Sequence, residues 1–261
     1  MWKEDRHKSI LELLQKEKIM DINDLANKFQ LSVITIRNDI RELYKKGLIK
    51  RQYGKLMLPN YDEENYLEFV GTPFDSRKME DFDIKNKLAD YVFSEVLKVS
   101  SIFIDDSSTV SHLLPLLKNT SGITVITPSI LAIEYFSSVP NVHTIGLGGT
   151  VCTIHKSFIG QIAIEQMFKH SIDIAIFSCY GISEKLGCLE NFHSIVDIKK
   201  AAALRSKRNI VLLSSKKWEI NKGVNSLSWN NISQIISDDA PKSDNILKIA
   251  KENNITISIV K

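Results

Sequence analysis

The stretch that decides the fold of the N-terminal region is Leu31-Ser32-Val33-Ile34-Thr35-Ile36-Arg37-Asn38-Asp39-Ile40-Arg41-Glu42-Leu43. Within it Ile36, Ile40 and Leu43 recur at helical spacing, which predicts a helix with one buried face. Ser32 stands where the N-cap of that helix belongs. The stretch therefore predicts a helix that packs on a small core and leaves its other face in solvent.

The predicted outer face of this helix is polar. It presents Thr35, Arg37, Asn38 and Arg41 beside a helix N-terminus, whose free N–H groups and dipole favour phosphate. Arg pairs with guanine and Asn with adenine, whereas Thr and Ser bind phosphate or base. These residues predict a DNA-recognition helix. For Arg41 the alternatives are surface solvation or pairing with Asp39 or Glu42.

Helical and strand-like segments flank the recognition helix. Two helices precede it: the first carries Ile10, Leu11 and Leu14, and the second, a short one, is predicted to be capped by Asn23. Gly47 is expected to end the recognition helix. Two basic runs follow it and predict a β-hairpin wing, Leu48-Ile49-Lys50-Arg51 and Lys55-Leu56-Met57-Leu58, with a turn at Tyr53-Gly54.

Charge is distributed unevenly along the chain. Residues 1–58 hold 13 Lys and Arg against 8 Asp and Glu, whereas residues 59–81 hold 2 against 7. A basic module of this size fits a polyanion, because neutralising phosphates releases condensed counterions; a solvated helical surface is the alternative. The acidic segment 59–81 contains Pro59, Gly71 and Pro73 and predicts a linker, either a tether or a partly helical connector. Its charge is expected to aid solubility, or to limit docking on the basic module.

Residues 6–58 resemble the winged helix-turn-helix of the DeoR family of bacterial transcription regulators. The resemblance rests on Leu25-Ala26, Leu31-Ser32-Val33, the run from Thr35 to Ile40, Leu43 and Gly47-Leu48-Ile49-Lys50-Arg51. Asn38 stands where the family usually has a second Arg, and Gln52-Tyr53-Gly54-Lys55 replaces His-Gly-Gly-Ala. The resemblance implies a double-stranded DNA operator as partner, and the alternative is a winged helix used for protein contacts. The expected DNA-binding residues are Ser32, Thr35, Arg37, Asn38, Arg41, Arg51 and Lys55.

The rest of the chain, residues 82–261, alternates amphipathic helices with short β-branched runs. A helix over Ile84–Val96 comes first, and strand-like runs follow at 102–104, 123–126, 142–145, 172–177, 210–213, 234–236 and 255–260, with helices near 158–168, 196–206 and 243–253. This pattern predicts an α/β domain whose mainly parallel sheet is covered on both faces. Such sheets bind ligands at the carboxyl ends of their strands.

Polar or glycine residues follow the predicted strands. They are Asp105-Asp106-Ser107-Ser108-Thr109, Thr127-Pro128-Ser129, Gly148-Gly149 and Cys179-Tyr180-Gly181. Hydroxyls and N–H groups at a helix start hold an anion well, so the first of these loops predicts a phosphate cradle. The alternative is that Asp106 or Ser107 simply caps the next helix.

In this order the segments resemble the sensor domain of the same DeoR family, which has a Rossmann-like fold similar to ribose-5-phosphate isomerase and senses phosphorylated sugars or related metabolites. The resemblance implies an effector site built from Asp105, Asp106, Ser107, Ser108, Thr109, Thr127, Ser129, Gly148, Gly149, Gly181, Lys199 and Lys217. Departures cluster there: Asp106 replaces Ser, Ser107 replaces Gly, Pro128 replaces Asn, Ser214 replaces Asp, and Ile195 stands where a Glu is expected. A carboxylate at Asp106 repels phosphate unless a cation, a basic side chain or protonation intervenes. Either the site binds a different metabolite or it has degenerated and the domain mainly oligomerises.

The sequence thus predicts a cytoplasmic DNA-binding regulator, a repressor of sugar or carbohydrate metabolism genes controlled by a phosphorylated sugar, and a homodimer or homotetramer. We expect no cofactor and no metal. We also expect no membrane partner, since the 261 residues, 43% of them hydrophobic, contain no apolar run long enough to span a bilayer. One alternative is an interaction or scaffold protein with a degenerate sensor. Another is a phosphosugar isomerase using Asp105 or Asp106 as base and Lys199 or Lys217 as electrophile. Cys152 and His155, with Cys188 and His193, supply zinc-type ligands, although packing of the cysteines is the simpler expectation.

Overall fold

The fold was examined in a computed structural model that describes residues 3–17, 19–52, 55–59 and 74–260. The chain divides into two compact units, residues 1–71 and residues 72–261. Of the segment predicted as a linker, residues 60–73 lie outside the described part. No helix of the described residues combines the length and the apolar character that crossing a bilayer requires.

The N-terminal unit is a three-helix module with a small antiparallel sheet. Its elements are α1 (Lys3–Glu17), β1 (Ile19–Met20), α2 (Ile22–Phe29), α3 (Val33–Lys45), β2 (Lys50–Gln52) and β3 (Lys55–Met57). The sheet order is β1-β3-β2. The core contains Ile10, Leu14, Leu25, Ile36 and Leu43, all of them fully or almost fully buried. The predicted helix-turn-helix and wing are confirmed.

Helix capping in this unit was predicted only in part. Ser32 caps α3 by accepting a hydrogen bond from the Thr35 N–H at 3.1 Å, as expected. The predicted cap Asn23 is wrong, because it lies inside α2 and Asp21 accepts from the Asp24 N–H at 2.8 Å. Strand β1 was not predicted, because two residues carry no readable periodicity. The predicted turn Tyr53-Gly54 falls outside the described residues.

One buried carboxylate joins α1 to α3. Asp39 accepts from Arg6 Nε at 2.6 Å and lies 3.1 Å from His7 Nε2. Burial alone would raise the pKa of Asp39, but hydrogen bonds from Arg6 and His7 outweigh it and hold that pKa below its usual value. The recognition helix is therefore oriented by a charged pair as well as by its apolar face.

The larger unit is built on a seven-stranded sheet. Its strands are β4 (Ser101–Ile104), β5 (Ile123–Thr127), β6 (Val142–Gly146), β9 (Ile172–Phe177), β12 (Ser206–Leu213), β14 (Gln234–Ser237) and β15 (Thr256–Ile259), and the sheet order is β15-β14-β12-β9-β4-β5-β6. Every neighbouring pair is parallel. Chain order reverses between β4 and β9, which puts the topological switch point there.

Helices cover both faces of this sheet. One face packs against α5 (Phe82–Val96), α6 (Leu114–Leu117) and α7 (Ile130–Phe136), and the other packs against α8 (Gln161–Met167), α9 (His193–Leu204) and α10 (Asp244–Glu252). Alternate residues of one strand enter opposite cores; Phe103 and Ile104 do so on β4. The predicted α/β class is confirmed.

Short strands supplement the main sheet in the larger unit. A hairpin joins β7 (Thr150–Cys152) to β8 (Ser157–Ile159), and β10 (Gly181–Ser183), β11 (Gly187–Glu190) and β13 (Val224–Leu227) form a small antiparallel sheet. The helix predicted near 158–168 starts only at Gln161, because residues 157–159 pair with β7.

A short helix, α4 (Phe74–Met79), lies in the segment predicted as an acidic linker. The Phe74 side chain is buried, and its backbone N–H donates to the Ile154 carbonyl at 3.1 Å. Asp75 pairs with Lys156 at 2.8 Å. These contacts attach α4 to the turn between β7 and β8, so residues 74–81 belong to the larger unit.

The Asp39 contacts give the first testable prediction. Asp39→Asn leaves Arg6 and His7 facing an uncharged amide, so we expect the opening free energy of α1 and α3 to fall by about 1.5–3 kcal/mol. Hydrogen exchange of their amides in the full chain measures this. The stabilisation that ionised Asp39 gives the unmodified chain should persist above the pKa of Asp39 in the unfolded chain, about 3.9. It should vanish as pH falls through the lower pKa of Asp39 in the folded chain.

The control for Asp39 is Glu42→Gln on the same helix. Glu42 pairs with Lys3 at an exposed position, where an ion pair contributes little. A Glu42 variant that loosened α1 and α3 as much as Asp39→Asn does would contradict the assignment.

Candidate functional site

The exposed face of α3 carries the residues expected to contact DNA. Ser32, Arg37, Asn38 and Arg41 are exposed, and Thr35 is half-buried. The hydroxyls of Ser32 and Thr35 lie 2.9 Å apart at the start of the helix. The helix thus brings hydroxyls, a carboxamide and two guanidinium groups to one surface.

The carboxylates near Arg41 already have other partners. Asp39 is held by Arg6 and His7, and Glu42 is paired with Lys3. Among the described residues no ion pair involves Arg41, so the expected alternative of pairing with Asp39 or Glu42 is not what the structure shows. Arg51 and Lys55 lie on strands β2 and β3, but their side chains fall outside what is described.

Two apolar side chains on α3 escaped the sequence reasoning. Ile34 is 70% exposed and Tyr44 is 57% exposed. They interrupt an otherwise polar surface, and the heptad spacing that assigned Ile36, Ile40 and Leu43 to the core leaves both of them outside it. Their exposure was therefore readable from the periodicity.

The second candidate site forms where the loops after β4 and β9 meet. Asp105 follows β4 directly and is buried. Its Oδ1 accepts from the Ser107 N–H at 2.9 Å, and its Oδ2 accepts from the Ser178 N–H at 2.9 Å. Asp105 thereby joins the two loops at the switch point.

Lys199 of α9 completes this junction. Its Nζ lies 3.0 Å from Asp105 Oδ2, 2.6 Å from Glu190 Oε1 and 2.7 Å from the Ser178 carbonyl. Burial alone would lower the pKa of Lys199, but the carboxylates of Asp105 and Glu190 outweigh it and raise that pKa. The ammonium therefore stays charged, hydrogen-bonded to Glu190 and the Ser178 carbonyl and ion-paired with Asp105.

Glu190 was missed by sequence reasoning. The sequence suggested that a glutamate was lacking because Ile195 stands at the expected position. The structure instead supplies the carboxylate from β11, five residues earlier, where Glu190 is buried against Lys199. Only the pairing of β11 with β10 and β13 reveals this, and the sequence did not predict those strands.

Several predicted site residues shape the backbone of the loops. Ser107 Oγ accepts from the Val110 N–H at 3.2 Å and Ser129 Oγ from the Ala132 N–H at 3.3 Å, so both hydroxyls cap the turns that follow. Thr127 Oγ1 accepts from the Ser129 N–H at 3.0 Å. The side chains of Ser108 and Thr109 are buried. The capping alternative therefore holds for Ser107.

The predicted glycines serve close packing. Gly148 N–H donates to Gln166 Oε1 at 2.9 Å. Gly149 has φ +148°, and a Cβ there would lie 2.6 Å from the Ile159 carbonyl oxygen. A Cβ on Gly181 would lie 2.4 Å from the Ile220 Cβ. Both positions exclude larger residues for steric reasons in the fold itself.

Additional cations gather around the two loops. Lys217 Nζ donates to the Cys179 carbonyl at 2.8 Å, and burial lowers its pKa. Lys85 of α5 is buried and donates to the Arg77 carbonyl. Burial, with a contribution from the charge of Lys217, lowers the pKa of Lys85 to about 8. Arg77 and Lys85 had no sequence signal, because they belong to α4 and α5, before the first strand.

His155 is a further buried group at this site. Arg77 Nη2 lies 3.3 Å from His155 Nδ1, and Asp106 Oδ2 lies 3.8 Å from the same nitrogen. Burial, then the charges of Arg77 and Lys199, lower the pKa of His155 to about 3. His155 is therefore neutral near pH 7, and its turn joins Asp106 to α4.

The residues considered for zinc do not converge. Within the described ranges no group of three or more His, Cys, Asp or Glu side chains is arranged to hold a metal ion. Cys152, Cys179 and Cys188 are free and buried, as expected of small apolar residues.

Comparisons with known proteins match both parts of the chain. Residues 6–61 match the DeoR-like helix-turn-helix domain, and residues 80–239 match the DeoR C-terminal sensor domain. The Glycerol-3-phosphate regulon repressor of Escherichia coli is 24% identical over 254 residues, covering 97% of this chain and 98% of that protein. The L-fucose operon activator of Haemophilus influenzae is 26% identical over 250 residues, covering 96% and 97%.

Among solved structures, ribose 5-phosphate isomerase A from Methanocaldococcus jannaschii is similar over 53% of this chain and 55% of that chain. The TM-score is 0.40 and the sequence identity 15%.

The buried ion cluster gives the second prediction. Lys199→Met leaves Asp105 and Glu190 buried without their cation, so we expect the larger unit to lose about 3–5 kcal/mol of unfolding free energy. Urea unfolding followed through the buried Trp218 and Trp229 measures this. The deficit should shrink as pH falls, because protonation removes the unpaired carboxylate charges.

Lys200→Met is the matched control for Lys199, since Lys200 is the next residue of α9 and is exposed. Its unfolding midpoint should stay close to that of the unmodified chain. Equal midpoints for the two variants would show that the cluster around Lys199 does not stabilise the unit.

Proposed function

This chain belongs to the DeoR family of transcriptional regulators, and from that premise we propose that it is a repressor whose larger unit binds a small phosphorylated carbohydrate and thereby controls DNA binding. The observation that carries the DNA-binding half is the exposed face of α3, where Arg37, Asn38 and Arg41 stand beside the helix N-terminus. The carbohydrate effector is supported by the names of two relatives, which refer to glycerol 3-phosphate and to fucose.

On the DNA side, α3 is proposed to lie in the major groove. Arg37 and Asn38 would read base edges, while the hydroxyls of Ser32 and Thr35 would position the helix on phosphates. Ile34 would contact a thymine methyl group, which explains an exposed apolar side chain on this face. Arg51 and Lys55 of the wing are proposed to contact the backbone of the adjacent groove.

On the effector side, the proposal rests on the buried and half-buried cations at the site. Arg77, Lys85, Lys199 and Lys217 gather around Asp105, Asp106 and Glu190, with a neutral His155 among them. Protonation of Lys85 and Lys217 is disfavoured by burial, and an anionic ligand would favour it again. A phosphate group supplies that charge. Lys199 is proposed to position the loops, because its N–H groups already have protein acceptors.

Helix α4 is the proposed link between effector and DNA. It directly follows residues 60–73, which lead from the N-terminal unit, and it touches the effector site through Arg77 and His155. A ligand that binds one arrangement of this contact more tightly shifts the population of that arrangement, and linkage carries the shift to DNA affinity. We expect a homodimer, since two-fold symmetry pairs two recognition helices on two half-sites.

Catalysis by the larger unit is not part of the proposal. Asp105, a candidate general base, accepts hydrogen bonds from two backbone N–H groups and lies 3.0 Å from Lys199 Nζ. Lys199, a candidate electrophile, donates to Glu190 and to the Ser178 carbonyl. These contacts support a structural role for both groups.

Arg37 provides the test of the DNA-binding half. Arg37→Ala should weaken binding to a duplex recovered by in vitro selection by about 1–3 kcal/mol, as for a lost bidentate base contact. Arg37→Lys should keep the salt dependence but lose discrimination between bases, because it retains the charge without the fork. Fluorescence anisotropy at several salt concentrations measures both.

Lys248→Ala is the charge-matched control for Arg37, because Lys248 is exposed on α10 of the larger unit. Its DNA affinity should equal that of the unmodified chain. An unchanged DNA affinity of the Arg37→Ala variant would show that Arg37 does not lie in the interface. An equal affinity of the unmodified chain for duplexes of any sequence would favour the protein-interaction alternative.

The effector half has its own test. A sugar phosphate that raises the melting temperature of the full chain should also change its affinity for the selected duplex by about 5–150-fold, the usual range of coupling between two sites. Sedimentation of the complex should show two chains on a duplex with two half-sites. A single chain bound tightly to one half-site, or a stabilising sugar phosphate without effect on DNA binding, would contradict the mechanism.

A further inference from the structure

Three polar atoms at the effector site are buried without a hydrogen-bond partner. They are Asp106 Oδ2, Thr109 Oγ1 and His155 Nε2. The three residues are 2%, 1% and 4% exposed. A buried polar atom left unpaired costs about 1–3 kcal/mol, so each of these atoms calls for an explanation, and Asp106 Oδ2 lies only 3.8 Å from the His155 ring.

The environment of His155 fixes which of its nitrogens carries the proton. Arg77 Nη2 lies 3.3 Å from His155 Nδ1, and a guanidinium only donates. Nδ1 is therefore the acceptor, and in a neutral imidazole the proton then lies on Nε2. Asp106 Oδ2, 3.8 Å from Nδ1, consequently faces a lone pair and receives no hydrogen bond from it.

These atoms offer both donors and acceptors to a ligand. His155 Nε2–H donates, Asp106 Oδ2 accepts, and the Thr109 hydroxyl does either. An ionised phosphate only accepts and would place its charge against the Asp106 carboxylate. An alcohol donates one hydrogen bond and accepts two, so it matches the set without charge repulsion. We propose that Asp106, Thr109 and His155 form a subsite that binds hydroxyl groups of the effector and makes a polyhydroxylated compound the preferred ligand.

This subsite rests on the proposed effector function and divides the site into two parts. The hydroxyl-bearing part of the ligand meets the loop 105–109 and His155, and the anionic part meets the cations Lys217 and Lys85. Arg77 touches His155 from α4, so the subsite also contacts the helix that follows the linker. Asp106 and His155 are specificity-determining residues in this scheme.

The test compares phosphates that differ in their hydroxyl groups. Binding of ribose 5-phosphate, glucose 6-phosphate, glycerol 3-phosphate, propyl phosphate and inorganic phosphate to the full chain is measured by thermal shift and calorimetry. At least one of the three hydroxylated phosphates should bind more tightly than propyl phosphate and inorganic phosphate. Propyl phosphate has the carbon skeleton of glycerol 3-phosphate without its hydroxyls, so that pair isolates their effect.

Variants at the subsite should weaken the binding of hydroxylated phosphates without weakening the binding of inorganic phosphate. Asp106→Ala should weaken the hydroxylated phosphate by about 10- to 100-fold, the effect of a lost hydrogen bond to a charged group. Its affinity for inorganic phosphate should stay equal or rise, because a negative charge has gone. His155→Phe keeps a ring at its place beside Phe192, 5.2 Å away between ring centroids, and removes the Nε2–H donor; it should cause a similar selective loss.

Melting of the ligand-free variants separates binding from structure. Asp106→Ala should melt no lower than the control Asp90→Ala, which removes an exposed carboxylate from α5. A large drop for Asp106→Ala, or an equal loss of affinity for inorganic and hydroxylated phosphates, would overturn the subsite. Should Asp106→Ala fail to fold, the subsite is overturned unless His155→Phe folds and shows the selective loss.

The remaining outcomes separate this subsite from the proposed function. If propyl phosphate binds as tightly as every hydroxylated phosphate, the subsite is overturned and a phosphate sensor remains. If the free sugars ribose and glucose or glycerol bind while phosphates do not, the subsite is supported and the phosphorylated effector is rejected. If nothing in the series binds, both proposals fall.

Discussion

The larger unit depends on a single buried cation. The Lys199 ammonium touches Asp105 after β4, the Ser178 carbonyl after β9 and Glu190 on β11. Burying three charges is unfavourable unless each is paired with good geometry, and here the ammonium donates to Glu190 and the Ser178 carbonyl and lies 3.0 Å from Asp105 Oδ2. Because Asp105 also binds the backbone N–H groups of Ser107 and Ser178, the cation fixes the loops at the switch point as one body. The effector site is built on that body.

The elements of the main sheet were predictable because local pattern and tertiary position agree. Runs such as Ile172–Phe177 and Ile210–Leu213 are apolar and β-branched, as expected of parallel strands buried on both faces. In α3 the spacing of Ile36, Ile40 and Leu43 and the cap Ser32 sufficed for the recognition helix. The short strands β1, β7, β8, β10, β11 and β13 were not predicted, since runs of two to four residues show no clear period.

Some residues of the candidate site could be predicted from the sequence and others could not, for the same reason. Residues at the carboxyl ends of β4 and β5, such as Asp105 and Thr127, could be predicted because the carboxyl ends of parallel strands share one edge of the sheet. Glu190, Arg77, Lys85 and His155 could not, because each depends on where a separate element packs. The predicted glycines illustrate a different limit: Gly149 and Gly181 lie at close contacts of the fold, so a glycine after a strand says more here about packing than about a ligand.

The energetics of the site connect its burial to regulation. Asp106, Thr109 and His155 keep polar atoms buried and unpaired, at about 1–3 kcal/mol for each atom. Ligand binding that pairs them recovers this free energy only in the arrangement of the chain that aligns them. The coupling free energy between two sites is typically about 1–3 kcal/mol, and pairing one or two of these atoms would supply that amount. In the proposed mechanism Arg77 transmits the difference toward residues 60–73, because it donates to His155 from α4, the first described element after those residues. A change at His155 would then act on the chain beside the segment that leads to the DNA-binding unit.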